Sequence, residues 1–124
     1  MFKLSYDELL RIHDIALLMG GVPGIKNPGL LHSAINNPFQ TMFGEELYPT
    51  NEAKISVMVY SLINNHGFED ANKRTGIMVM QTLLEYCDIE LTATDDDYEQ
   101  LAINIATIYT KEDVIDWINK YKIN

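Results

Sequence analysis

Residues 66 to 76 read His-Gly-Phe-Glu-Asp-Ala-Asn-Lys-Arg-Thr-Gly, and the first nine of them hold one base, two carboxylates, one amide and two cations. That set suits holding a phosphate chain and its metal beside a proton acceptor. The stretch lies where one helical pattern has stopped and another starts. Backbone N–H groups in a first helical turn lack intrahelical partners and carry partial positive charge, so such a turn is a ready anion site. Lys73 and Arg74 are out of place there unless an anion reverses the penalty. Arg74 can chelate phosphate oxygens with its fork, and Lys73 supplies a point charge. Asn72 can hydrogen-bond a phosphate oxygen or cap the helix. Asp70 sits just before the turn. It is the candidate ligand for Mg²⁺, which prefers one or two carboxylates with phosphate oxygens and water; Glu69 ranks behind it. His66 carries an imidazole, the side chain best suited to take a proton from a hydroxyl near neutral pH. Phe68 should point inward, while Gly67 and Ala71 should let the backbone pass close to a ligand.

Taken singly, His66 reads as a structural histidine, Asp70 as a turn or cap residue, and Lys73 and Arg74 as surface charges. A single loop that supplies base, metal ligand and phosphate binders together favours function. The remaining polar residues stay structural: His13 packs among apolar neighbours, His32 lies at the surface, and Cys87 is a buried, unreactive thiol ending a helix. Trp117 and the tyrosines near the C-terminus should close the core.

The elements that must position the loop are helical. Ser5 with Glu8 has capping-box spacing, and Leu9, Leu10, Ile12, His13, Ala16 and Leu17 recur at helical spacing behind it. Gly20-Gly21 stops that helix, and residues 21–24 form a turn or loop. Asn27-Pro28 reads as a cap with proline in the first turn of a short helix ending near Pro38. Residues 39–50 lack helical periodicity and read as an extended or hairpin-like loop. Thr50 or Asn51 caps a third helix, with Ile55, Met58, Val59, Leu62 and Ile63 facing the core and Asn64-Asn65 ending it. A fourth runs from about Asn72 to Cys87, apolar nearly all round and therefore central and buried. Thr94 with Asp97 caps a fifth, carrying Leu101, Ile105 and Ile108. Thr110 with Asp113 caps a sixth, carrying Val114, Ile118 and Tyr121. The fold class is thus all-α, one domain over residues 1–124 with about six helices and a short hairpin-like segment before the central motif.

Bulk properties bound the function. A chain of 124 residues with 47% hydrophobic content can build one core without disulfides, and its single cysteine permits no internal one. The N-terminus lacks the basic head and apolar run of a signal peptide, and no apolar stretch is long enough to span a bilayer, so the expectation is a cytoplasmic protein. Nine basic against eighteen acidic residues give a net charge of −9, which argues against backbone-driven nucleic-acid binding and against docking on an anionic membrane. The acidic run Asp88, Glu90, Asp95, Asp96, Asp97 and Glu99 reads first as a solvated surface and second as a docking face for a basic partner.

HGFEDANKRTG resembles the motif of the Fic/Doc family, written HPFxxGNGRxxR in Fic proteins and HxFx(D/N)(A/G)NKR in the Doc branch. GGVPGIKNPGLLHSAI is similar to the family's early loop and second helix, and QTMFGEELYPT to its flap. The resemblance implies roles at matching positions: His66 as general base, Asp70 as metal ligand, and Asn72, Lys73 and Arg74 as phosphate binders. The loop of about residues 41–49 is the implied flap, which in the family aligns a target's backbone by strand-like pairing. Two departures from the Fic pattern, Lys73 for the second glycine and Ile77 for the second arginine, are shared with the Doc branch. That branch is known for phosphate transfer to a hydroxyl on elongation factor Tu. The resemblance therefore implies a toxin of a toxin–antitoxin pair that uses Mg²⁺ and ATP or another NTP, with a Phd-type antitoxin as partner. Fic-type nucleotidyl transfer (AMPylation) is the alternative, and a catalytically silent interaction module is the reading from another class. Gly67 in place of the usual proline should loosen the loop slightly. No clean copy of the Fic inhibitory motif, Ser/Thr-x-x-x-Glu-Gly/Asn, is present: Thr41 to Glu45 has the spacing, but Glu46 follows.

Overall fold

Side-chain caps set where most of the helices begin. Ser5 with Glu8, Thr94 with Asp97 and Thr110 with Asp113 each form a reciprocal capping box, and Asn27 and Thr50 accept from Leu30 N–H and Ala53 N–H. In the computed structural model, which describes residues 3–123, these caps open α1 (Tyr6–Ala16), α2 (Pro28–Asn36), α3 (Asn51–Asn64), α5 (Asp95–Thr107) and α6 (Lys111–Tyr121). The remaining helix, α4 (Asn72–Tyr86), starts differently. Its N-cap, Ala71, makes no side-chain bond and adopts the left-handed conformation at φ 62°. The expected all-α fold of six helices is therefore observed.

Between α2 and α3 lies a small antiparallel hairpin, β1 (Thr41–Met42) and β2 (Glu45–Glu46), with Thr41 opposite Glu46. Phe43 and Gly44 turn it with φ of 52° and 79°, the two positive values of a type I′ hairpin. The segment with inhibitory-motif spacing is thus strand and turn rather than helix. The hairpin is tied down by Lys54 of α3, a cation with only 2% of its side chain exposed, whose Nζ lies 3.0 Å from Glu46 Oε1 and also donates to Tyr48 O.

The core gathers around α3, which packs against α2, α4, α5 and α6. Buried residues run almost without break from Ala53 to Val59 and resume at Ser61–Ile63. This corrects the expectation for α4. That helix buries Val79, Met80, Leu83 and Leu84 but leaves Ile77 and Met78 half-buried and Lys73 and Gln81 exposed, because one face of it borders a cleft. Gly76 brings α3 and α4 together: a Cβ there would stand 2.6 Å from Ile63 Cγ1. Other boundaries shift slightly. α1 ends at Ala16 and continues as a 3₁₀ turn, Leu17–Met19, before Gly20 at φ 106°. α5 ends at Thr107, so Ile108 is its cap and is 73% exposed rather than in the core. Trp117 closes the core between Tyr98 and Tyr121, with ring centroids 5.3 and 4.7 Å away. No helix among the described residues is long and apolar enough to cross a membrane.

Candidate active site

The loop between α3 and α4 is held on three sides. From the early loop, Lys26 and Asn27 N–H donate to Gly67 O at 2.9 and 3.0 Å, and Glu69 N–H donates to Gly24 O at 3.0 Å. From α4, the Asn72 side chain takes both backbone groups of Phe68: Oδ1 accepts from Phe68 N–H at 3.2 Å, and Nδ2 donates to Phe68 O at 3.1 Å. From α1, His13 stacks on the Phe68 ring with centroids 3.7 Å apart and planes within 5°, and its Nε2 lies 3.0 Å from Asp70 O.

Phe68 points inward and is fully buried, as its type predicts. Gly67 serves a different purpose from the one expected. It is buried, and a Cβ there would stand 2.4 Å from Leu31 Cδ2, so its small size fits the loop against α2 rather than against a ligand. Its carbonyl holds two N–H donors, so the loop is pinned at the position where a missing proline suggested looseness.

The loop opens onto a cleft of about 710 Å³, and all five candidate site residues, His66, Asp70, Asn72, Lys73 and Arg74, line it. Its floor includes Ile77, Met78 and Gln81 of α4, and its far wall is α5, where Tyr98, Ala102 and Ile103 border it. Asp95 and Glu99 stand on that same wall, so part of the acidic run lies on the cleft instead of forming only a remote surface.

Each candidate has a distinct setting. His66 is exposed and held at φ 50°, a left-handed conformation uncommon outside glycine. Asp70 Oδ2 accepts from Val22 N–H at 3.0 Å, and Oδ1 accepts from Ala71 N–H at 2.8 Å. These N–H donors, Val22 first, hold its carboxyl below the usual carboxylate range, with Arg74 and His13 adding to the effect. It therefore stays ionised, as a metal ligand must. Among the described residues no group of three His, Cys, Asp or Glu side chains is placed to hold a metal, so an ion here would take Asp70 together with phosphate oxygens and water, a donor set that Mg²⁺ accepts.

Asn72 is buried and both polar atoms of its side chain face Phe68, which leaves its backbone N–H for an anion. Arg74 donates through Nη1 to Ala16 O and, at 2.8 Å, to Gly20 O. Its charge thus rests on the carbonyl end of α1, a favourable place for a cation, and among the described residues Nε and Nη2 have no hydrogen-bond partner, which leaves them for a ligand. The charge conflict at the start of α4 is accordingly relieved for Arg74 and persists for Lys73, which is exposed and has no hydrogen-bond or ion-pair partner among the described residues. The first intrahelical bond of α4 runs from Thr75 N–H to Ala71 O at 2.9 Å, so the N–H groups of Asn72, Lys73 and Arg74 precede any helical acceptor.

His13 is the residue whose place at the site sequence reasoning missed. Its helical spacing marked it as packing, and it is 4% exposed, but its ring nitrogen reaches the motif loop across 57 residues of sequence. A histidine on the apolar face of α1 was the available signal, and nothing in the sequence tied it to a loop so far along the chain.

A helical domain that sets a histidine, a carboxylate and an uncapped, cation-bearing helix start in one cleft has the form of a Fic-like protein. A family model described as Fic/DOC family matches residues 3–84. The chain is 32% identical over 93 residues to a protein named Toxin Doc from Mycolicibacterium smegmatis, covering 75% of this chain and 70% of that one. It is also 32% identical over 78 residues to a protein named Protein kinase doc from Escherichia phage P1, covering 62% of this chain and 61% of that one. The chain belongs to the Fic/Doc family, in its Doc branch.

Proposed function

We propose that this protein is the toxin of a toxin–antitoxin pair and transfers the γ-phosphate of a nucleoside triphosphate, bound with Mg²⁺, to a serine or threonine hydroxyl of a protein, with elongation factor Tu as the expected target. The observation that carries the reading is the single cleft joining His66, Asp70 and the uncapped first turn of α4. In it the triphosphate lies against the N–H groups of residues 72–74, with Lys73 and the free edge of Arg74 neutralising charge. Asp70 holds Mg²⁺, which supplies further charge neutralisation at the phosphates. His66 takes the proton of the acceptor hydroxyl. Phosphoryl transfer of this kind depends on positioning and electrostatics more than on covalent help from the protein. The names of the two relatives, a toxin and a protein kinase, support the same reading. A Phd-type antitoxin is the proposed partner.

The alternative, transfer of a nucleotidyl group, uses the same base and metal with the nucleotide reversed. Ile77, half-buried on the cleft floor where the Fic pattern has a second arginine, favours the kinase direction because it removes one of the charges that grip the nucleotide in Fic proteins. The test is incubation with elongation factor Tu and NTP labelled at the α- or the γ-phosphate, followed by intact mass of the target. Label from the γ-position and a phosphate-sized gain are expected, and both should vanish in a folded His66→Ala variant. Label from the α-position alone would overturn the kinase reading.

A further inference from the structure

We propose that His13 of α1 is a positioning residue for the reaction, setting the peptide plane between Asp70 and Ala71 and so aiming the start of α4 into the cleft. Three observations converge on that one peptide. Its carbonyl, Asp70 O, receives the His13 ring nitrogen at 3.0 Å. Its N–H, on Ala71, is bound by Asp70's own Oδ1 at 2.8 Å. The residue that follows the plane, Ala71, sits at φ 62° and ψ 27°, a left-handed conformation that a residue with a side chain keeps only if its surroundings impose it. A carbonyl oxygen can only accept, so His13 Nε2 carries hydrogen and donates.

The His13 ring is itself immobilised. It is 4% exposed and lies flat on Phe68 at 3.7 Å, and the backbone of Phe68 is in turn gripped by Asn72. The imidazole is therefore a rigid strut running from α1 to the loop that bears both His66 and Asp70. If the peptide turned over, Ala71 would leave its left-handed conformation. The N–H groups of residues 72–74 would swing from the cleft, and the Asp70 carboxylate would lose its backbone donor. None of this requires His13 to touch nucleotide, metal or target. The kinetic arm of the test rests on the transferase reading; the spectroscopic arm does not.

The experiment compares wild type with His13→Phe, which keeps a stacking ring and removes the donor, and with His13→Gln, which returns an N–H near the Nε2 position. In ¹⁵N-labelled protein the amide resonances of Ala71, Asn72 and Lys73 should move in His13→Phe while those of α6 stay fixed, and His13→Gln should bring them back towards wild type. With target and nucleotide, kcat of His13→Phe should fall about 10- to 100-fold, the scale of a misplacement near 1 Å. KM for the protein target should stay within about twofold, and His13→Gln should recover part of the rate. Unmoved loop amides, or a wild-type kcat, in folded His13→Phe would overturn the proposal. If His13→Phe does not fold, the wild-type imidazole decides: a slowly exchanging Nε2–H proton supports the strut, and free exchange with water overturns it. If wild type transfers nothing to any target, the transferase reading fails, and the amide resonances alone decide the role of His13.

Discussion

Asn72 shows how far residue type reaches and where it stops. An amide at the start of a helix beside two cations invites a phosphate or a cap. In the fold its side chain instead joins both backbone groups of Phe68, a pairing across four residues that no spacing rule reveals, because it depends on the loop doubling back. Asn72→Ala would leave a buried N–H and a buried carbonyl without partners. It should destabilise by about 2–4 kcal/mol, read as a lower urea midpoint, and should lower activity through loop disorder rather than through direct loss of a phosphate contact. Arg74 teaches the same lesson: its charge was legible, its seat on Ala16 and Gly20 carbonyls was not. Cys87 caps the end of α4, where it is half-buried rather than buried. Burial pushes its thiol above the usual range, so less thiolate is present at neutral pH than for a free cysteine. Alkylation of folded protein at pH 7.5 should therefore run slower than that of a cysteine peptide, and should accelerate as pH rises or urea is added. A thiol reacting at the peptide's rate would contradict the burial.

Among the elements, helix starts were the most legible features, because a cap is a local bond between residues three apart. Ser5, Asn27, Thr50, Thr94 and Thr110 all cap as their spacing indicates. Which helix sits at the centre was not legible from pattern. α3 carries Lys54 and two serines yet is the more enclosed, whereas the apolar face of α4 at Ile77 and Met78 lines the cleft. Lys54 misleads because its charge is answered by a different element, the hairpin. That dependence predicts an asymmetry. Removing the carboxylate in Glu46→Ala strands an ammonium that is only 2% exposed, while removing the ammonium in Lys54→Met leaves a carboxylate that is 42% exposed to water. Breaking a buried pair is costly chiefly through the charge left behind. Glu46→Ala should therefore lower Tm more than Lys54→Met, and limited proteolysis at the exposed Phe43 tip should accelerate more in that variant. Equal losses in both would show that the pair does not govern the hairpin. Where α3 meets α4, Gly76→Ala forces a methyl to 2.6 Å from Ile63 and should destabilise by about 1–3 kcal/mol through overpacking.

At the scale of the whole molecule, two electrostatic effects oppose each other, and their pH ranges separate them. A net charge of −9 at pH 7 pushes the compact state apart through long-range repulsion, which salt screens. Against this, several carboxylates gain local donors on folding. Ser5 N–H lowers the pKa of Glu8, Lys122 lowers that of Glu52, Val22 N–H that of Asp70 and Thr94 N–H that of Asp97. For each the folded value lies below the ordinary one, so the stability it adds is complete above the unfolded pKa, 3.8 for these aspartates and 4.5 for these glutamates. It is lost as pH falls through the folded value. Repulsion is therefore the adjustable quantity near neutrality, and local pairing is the adjustable quantity in acid. Raising salt at pH 7 should increase Tm modestly. Lowering pH from 7 to 5 should leave Tm level or slightly higher, since these carboxylates remain ionised. Below about pH 4 Tm should fall steeply, because protonation then removes N-terminal caps, the Asp70 staple and the Glu52–Lys122 bridge at 2.7 Å together. Glu52→Gln, which keeps the shape and removes the titrating group, should flatten part of that acid limb while lowering Tm at pH 7. Thermal melts from pH 2.5 to 8 decide the matter: an acid limb identical in Glu52→Gln and wild type would take that bridge out of the account, and a Tm that rises steadily down to pH 3 would show that net charge, rather than local pairing, controls the stability of the fold.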